Sequence, residues 1–154
     1  MITLADTLTP RHVALNRPAT SRADALENTV ALLRDDPRVL DWEALFEQLG
    51  KCAPCRCEDE SDFSICIPHA RTDAVSEMVM SVSRYERPVS FPESEKPVRY
   101  LFVIAAPVAM AADYLRIVGL LMRVIRNPKS EASLHAATTS EDFLDVLTSF
   151  EVNL

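Results

Sequence analysis

Glycine is almost missing from this chain. Its 154 residues include two, Gly50 and Gly119, so a glycine-rich phosphate loop of the nucleotide-binding kind is excluded on count alone. Positive charge is also short. Sixteen Lys and Arg stand against 23 Asp and Glu, a formal net charge of −7, which argues against nonspecific binding to nucleic acid or to an anionic membrane. No apolar run is long. The longest near-apolar stretch, LFVIAAPVAMAA, is too short to span a bilayer and contains a proline. The opening MITLADTLTP has no basic region followed by an apolar segment, so no secretory signal is read there. Four cysteines without an export signal are expected to stay reduced, which predicts a cytoplasmic protein. Histidine is scarce too, with three residues, at 12, 69 and 135.

What remains is the composition of a folded domain, 48% hydrophobic and 25% charged. The length suits one domain over 1–154 with a single sizeable core. Val13 to Leu15 reads as a short strand. SRADALENTVALLRDD predicts a helix with Ser21 as its N-cap and Ala25, Leu26, Thr29, Val30 and Leu33 on one face. DWEALFEQLGK repeats the pattern, capped by Asp41, with Gly50 suited to its end. KCAPCRCEDESDF has no periodicity and reads as a loop. SICIP predicts a short strand ended by Pro68, and SEMVMSVSRYE a strand with Met78, Met80 and Val82 on one side. PVSFPESEKP reads as a turn region with a brief strand. VRYLFVIAAP, almost continuously apolar, predicts a central strand covered on both faces. A long helix follows, carrying Leu115, Val118, Leu121, Met122 and Ile125. Two short helices close the chain, each opened by a serine or threonine. Helices flanking a few strands give the class α/β, with a mixed sheet.

The stretch ICIPHARTDAV places His69 just after Pro68 at the end of an apolar run. An imidazole is largely neutral at pH 7, with one nitrogen able to attack or ligate and the other a donor that a backbone carbonyl can fix. Pro68 lacks an N–H and restricts the backbone, which can hold the ring at a strand edge. An extended chain puts Arg71, two residues on, on the same side, and arginine offers phosphate a planar fork of donors. The plain alternative is a loop histidine near a surface arginine.

IPHARTDAV resembles the phosphorylation-site motif of the enzyme IIA domains of the bacterial phosphotransferase system, of the fructose/mannitol and nitrogen-regulatory type. The resemblance spans nearly the whole chain through ITLADTLTPRHVAL, SRADALENTVALL, IPHAR, PVRYLFVIAAP, the long helix and SEDFLDVL, in that order. It implies a mixed sheet covered by helices. It implies a phosphocarrier whose histidine, here His69, accepts a phosphoryl group from HPr or a relative and passes it to a cysteine of an enzyme IIB partner. No metal, nucleotide or other cofactor is implied. Arg71 becomes a candidate phosphate contact. Two departures stand out. Members usually carry a second histidine at the start of the long helix, where this chain has Tyr114. Many have an Arg-Glu pair at the end of the second helix and glycines before the motif; here the segment is GKCAPCRCEDESDFSICIPH, in which Arg56 is the candidate replacement for the arginine. These departures motivate an alternative, a regulatory binding module on the same fold acting on a target protein with impaired transfer.

CAPCRC places Cys52, Cys55 and Cys57 together, with Cys66 beyond. Cys52 and Cys55 have the spacing of a zinc knuckle, and Cys66 and His69 would supply a second half as C-x-x-H. A small zinc-binding protein is therefore a further alternative, and a redox dithiol another. The strand opposes the C-x-x-H pairing: if it continues to 69, Cys66 and His69 face opposite sides. Thiols in a variable loop are the plainer expectation. His12 is read as a surface or strand-end residue, His135 as an exposed helical one, and EDESD as a solvated acidic loop. Asp73 is left as either a partner that orients a ring or one that repels phosphate.

Overall fold

A computed structural model describes residues 2–51, 56–58, 64–92 and 96–152, the side chains of 56–58, 64 and 152 excepted. In chain order these form α1 (Leu4–Thr7), a 3-10 turn (Pro10–His12), β1 (Val13–Arg17), α2 (Arg22–Ala31), α3 (Trp42–Gly50), β2 (Arg56–Glu58), β3 (Ser64–Cys66), β4 (His69–Arg71), β5 (Val79–Val89) and β6 (Val98–Ala106). A second 3-10 turn (Val108–Met110) leads to α4 (Ala111–Arg126), α5 (Pro128–Ala136) and α6 (Ser140–Val152).

β6 is the axis of a mixed sheet. It runs antiparallel to β5 on one side and parallel to β3 and β4 on the other. β1 lies parallel outside β5, and β2 antiparallel outside β3. The apolar run of β6 is explained by its two covered faces. Tyr100, Phe102, Ile104 and Ala106 point into one core with α4, α6 and α1; Leu101, Val103 and Ala105 point into the other with α2 and α3. β5 and the residue before it alternate as the sequence predicts, with Met78, Met80 and Val82 in the first core and Val79 and Tyr85 in the second.

The caps at Ser21 and Asp41 are present, each side chain accepting a backbone N–H at 3.1 Å. Four local expectations are revised. Gly50 is the last residue of α3 and none of the described glycines has a positive φ; the helix ends instead through Lys51 in the right-handed region. α5 is opened by neither serine nor threonine but by Asn127, whose side chain accepts from the Lys129 N–H, with Pro128 at the first helical position where a missing N–H costs nothing. Within the expected cysteine loop, Arg56 to Glu58 form β2. Leu115 does not share the buried stripe of α4: it is 69% exposed, one residue and so about 100° round from buried Tyr114.

His12 ends the first 3-10 turn beside β1 and is buried, 6% exposed. Its Nε2 lies 3.5 Å from Asp36 Oδ2. Arg38 grips the same carboxylate through Nε and Nη2, at 3.0 and 2.7 Å, and donates Nη1 to the carbonyls of Asp6 and Met78. That hydrogen-bonding holds the Asp36 carboxyl below its ordinary range. Burial pushes His12 below its ordinary value, against the pull of Asp36. The unfolded chain therefore takes up a proton near pH 6.5 that folded His12 refuses, so its contribution to stability is present above that pH and is lost as pH falls toward the depressed folded value. His135, also lowered by burial and by Arg99 and Arg84, acts in the same window. His12→Asn is expected to flatten the fall in denaturant midpoint as pH drops below about 6.5, and His135→Asn to flatten it further. An unchanged slope in the double variant would refute this assignment.

Candidate active site

Pro68 does not end the ladder. Cys66 pairs with Leu101 and His69 with Ile104, so the register on both sides of the proline is the same, 35 positions apart. Proline lacks a donor but keeps its acceptor, and the Pro68 carbonyl receives the Ile104 N–H at 3.1 Å. The strand is interrupted and resumes, and its alternation survives. Ile65 and Ile67 point into the core of α4 and α6, and the His69 ring meets Tyr114 of α4 on that side. Cys66 and Ala70 point into the core of α2 and α3. Cys66 and His69 thus lie on opposite faces, which opposes their use as a C-x-x-H pair.

His69 Nδ1 lies 2.6 Å from the Ile67 carbonyl. A carbonyl only accepts, so Nδ1 carries the proton and donates, and in the neutral ring the lone pair is on Nε2. The ring is half-buried. Its centroid is 5.8 Å from that of Tyr114, with 44° between the planes. Tyr114 is 7% exposed in the first turn of α4, where the tight turn after β6 delivers that helix back over the sheet.

Arg71 ends β4 and is exposed. It lines a cavity of about 440 Å³ with Gln48, Asp41, Asp73 and Val108, which His69 does not line. Asp73 turns to the backbone: its Oδ1 accepts the Val108 N–H at 3.3 Å, tying the turn after β4 to the one after β6. Thr72 continues the ladder by donating its N–H to the Ala106 carbonyl at 2.7 Å. The sequence marked Asp41 only as a helix cap and gave no sign of Gln48, because their approach to Arg71 depends on how α3 lies across the sheet. It also passed over the Asp36–Arg38 clamp. Arg56 stands opposite Cys66 in the β2–β3 register. Cys57 stands opposite Ile65, and Cys52 and Cys55 lie outside the described residues. Among the described residues no group of three His, Cys, Asp or Glu is placed to hold a metal ion, and no helix is long and apolar enough to cross a membrane.

A mixed sheet between helical layers is the architecture of the phosphotransferase IIA fold. Residues 6–150 match the family described as phosphoenolpyruvate-dependent sugar phosphotransferase system, EIIA 2, and the chain belongs to that family. It is 31% identical over 152 residues to the PTS system fructose-specific EIIA component of Haloferax volcanii, covering 95% of this chain and 96% of that one. The fold is shared with nitrogen regulatory protein IIA-Ntr of Neisseria meningitidis, at a TM-score of 0.82, 22% identity, and coverage of 94% and 98%. It is also shared with the mannitol IIA of Escherichia coli solved in complex with phosphorylated enzyme IIB, at a TM-score of 0.70, 17% identity, and coverage of 93% and 98%.

Proposed function

We propose that residues 1–154 act as one phosphocarrier domain, with His69 as the residue that carries the phosphoryl group. The observation that carries this reading is the Nδ1–H···O=C bond to Ile67, which leaves the attacking lone pair on Nε2 of a half-buried ring. Nε2 attacks phosphorus on a phosphohistidine of an HPr-type donor; the donor's P–N bond breaks as the new P–Nε2 bond forms. In the onward step a cysteine thiolate of an enzyme IIB partner attacks phosphorus and the His69 ring leaves as the neutral imidazole. The chemistry needs alignment and charge stabilisation, and no metal or nucleotide. Partner contact is supported by three exposed apolar residues at this end of the sheet. Val108 lines the Arg71 cavity, Leu115 follows Tyr114, and the Leu40 N–H bonds the carbonyl of Ala74, which lines that cavity too. Arg71, Tyr114 and Arg56 are the proposed phosphate contacts. Intact mass after incubation with phosphoenolpyruvate, enzyme I and HPr tests the reading directly. Cytoplasmic placement belongs to the same proposal.

The second reading, a regulatory module with slowed transfer, rests on Tyr114. A tyrosine hydroxyl donates one neutral hydrogen bond, whereas a histidine in its place could donate as a cation. Tyr114→His is expected to raise the phosphoryl-transfer rate about tenfold, the equivalent of about 1.4 kcal/mol in the barrier, with the fold kept. An unchanged rate in a folded variant would mean that the phosphoryl group is stabilised by other donors.

A further inference from the structure

The end of the sheet away from His69 holds a group of residues that phosphoryl transfer does not use. Met80 stands opposite Ile104, the partner of His69, and Arg87 is seven positions farther along β5, roughly 23 Å at the rise of a strand. There a cavity of about 400 Å³ is lined by Arg17, Arg87, Asn16, Glu86 and the apolar Pro18 and Ala19, among others. Arg17 and Arg87 are exposed, and neither guanidinium makes a hydrogen bond or ion pair among the described residues.

Behind them lies a third guanidinium. Arg84 is 6% exposed. Its Nη1 donates to the carbonyls of Leu134, His135 and Ala137 at 2.8, 3.1 and 2.7 Å, and its Nη2 reaches Asn16 Oδ1 at 3.4 Å. All four acceptors are neutral, so its contacts leave the buried positive charge without a carboxylate. Asn16 has a φ of 59°, the one positive φ outside glycine among the described residues, in the left-handed region that asparagine tolerates. Its oxygen is turned to Arg84, so the donor side of the same amide is left to face elsewhere while the residue lines the cavity.

We propose that this cavity binds a small organic anion. The phosphate or carboxylate group lies between Arg17 and Arg87 with the Asn16 amide donating, and the carbon body rests on Pro18 and Ala19. Arginine suits either head group because its fork of donors matches two oxygens at once. Glu86 lines the same space and opposes the anion, which gives the site a signature of its own: neutralising Glu86 must tighten binding, whereas neutralising either arginine must weaken it.

The test uses the full chain at low salt with two probes, glycerol 3-phosphate for a phosphate monoester and succinate for a dicarboxylate, followed by calorimetry or amide chemical shifts. At least one probe is expected to saturate with a millimolar or tighter Kd, and the preferred probe identifies the head group. Arg17→Gln and Arg87→Gln should each weaken it about fivefold or more, and Asn16→Gly, which keeps the left-handed backbone and removes the amide, should weaken it as well. Glu86→Gln should tighten it, and Arg123→Gln, exposed on α4, should leave it unchanged. These exposed substitutions are expected to keep the fold. No saturation by either probe up to about 10 mM, or wild-type affinity in the Arg17→Gln/Arg87→Gln double variant, would overturn the proposal and leave the arginines as solvated surface charge.

Discussion

His69→Ala, incubated with phosphoenolpyruvate, enzyme I and an HPr-type carrier, is expected to take up no phosphoryl group, while His12→Ala and His135→Ala are labelled to the wild-type extent. The effect is complete because the substitution removes the attacking atom itself. Elsewhere in a phosphoryl-transfer site a lost donor lowers the rate, since its role there is alignment or charge stabilisation. The label on the wild type should be acid-labile, as a phosphorus–nitrogen bond is. His12 and His135 are suitable controls for geometric reasons: His12 is buried against Asp36, and His135 lies on α5 in contact with Arg99 Nη1, at 2.7 Å from Nδ1. Thermal melts taken with each variant separate unfolding from loss of the nucleophile. Undiminished labelling of folded His69→Ala would end the assignment of this histidine.

Phe102→Ala is expected to lower stability by about 3 to 5 kcal/mol, a large share of the 5 to 15 kcal/mol typical of a domain. Phe102 is fully buried in the middle of β6. Its ring lies 6.2 Å from Tyr100 and 6.4 Å from Phe143 of α6, which also packs on Tyr100 at 6.1 Å. Truncation would open a cavity between the sheet and α6 that β6, hydrogen-bonded on both sides, cannot collapse to fill. The same strand carries Ile104, the partner of His69, so labelling should also fall at temperatures where the variant begins to unfold. A denaturant midpoint within error of the wild type would show that the aromatic cluster is not what joins these layers.

Some residues of this chain act through their neighbours in sequence and others through neighbours across the fold. The apolar run of β6 and the alternation of Met78, Met80 and Val82 were legible, because burial on two faces or one imposes its pattern directly on a strand. The caps at Ser21 and Asp41 were legible for the same reason: each bonds an N–H three residues on. Helix α1 was missed, being four residues long and tied to Glu151 at the other end of the chain through the Leu4 N–H. His12 was read as a surface or strand-end residue. It does adjoin β1, but nothing within a few positions shows that Asp36 and Arg38 close over it.

The candidate site divides along the same line. The IPHAR segment and its proline were legible in the sequence, since a proline's missing donor is a local property of the chain, while the opposition of Cys66 to His69 was conditional on the strand continuing to 69. That the ladder resumes beyond Pro68 was not, because it depends on β6 offering Ile104 in unchanged register. Nor was the turn of Arg71 into the cavity of α3, or of Asp73 to the Val108 N–H, or the seating of Tyr114 beside the His69 ring. By itself the sequence determined the family, the order of the longer helices and strands, and the histidine on which the proposal rests. Only the tertiary structure decided which side chains stand around that histidine, because Tyr114 is brought to it by the packing of a separate element on β6, whereas the proton on Nδ1 is held by the Ile67 carbonyl two residues back in the chain.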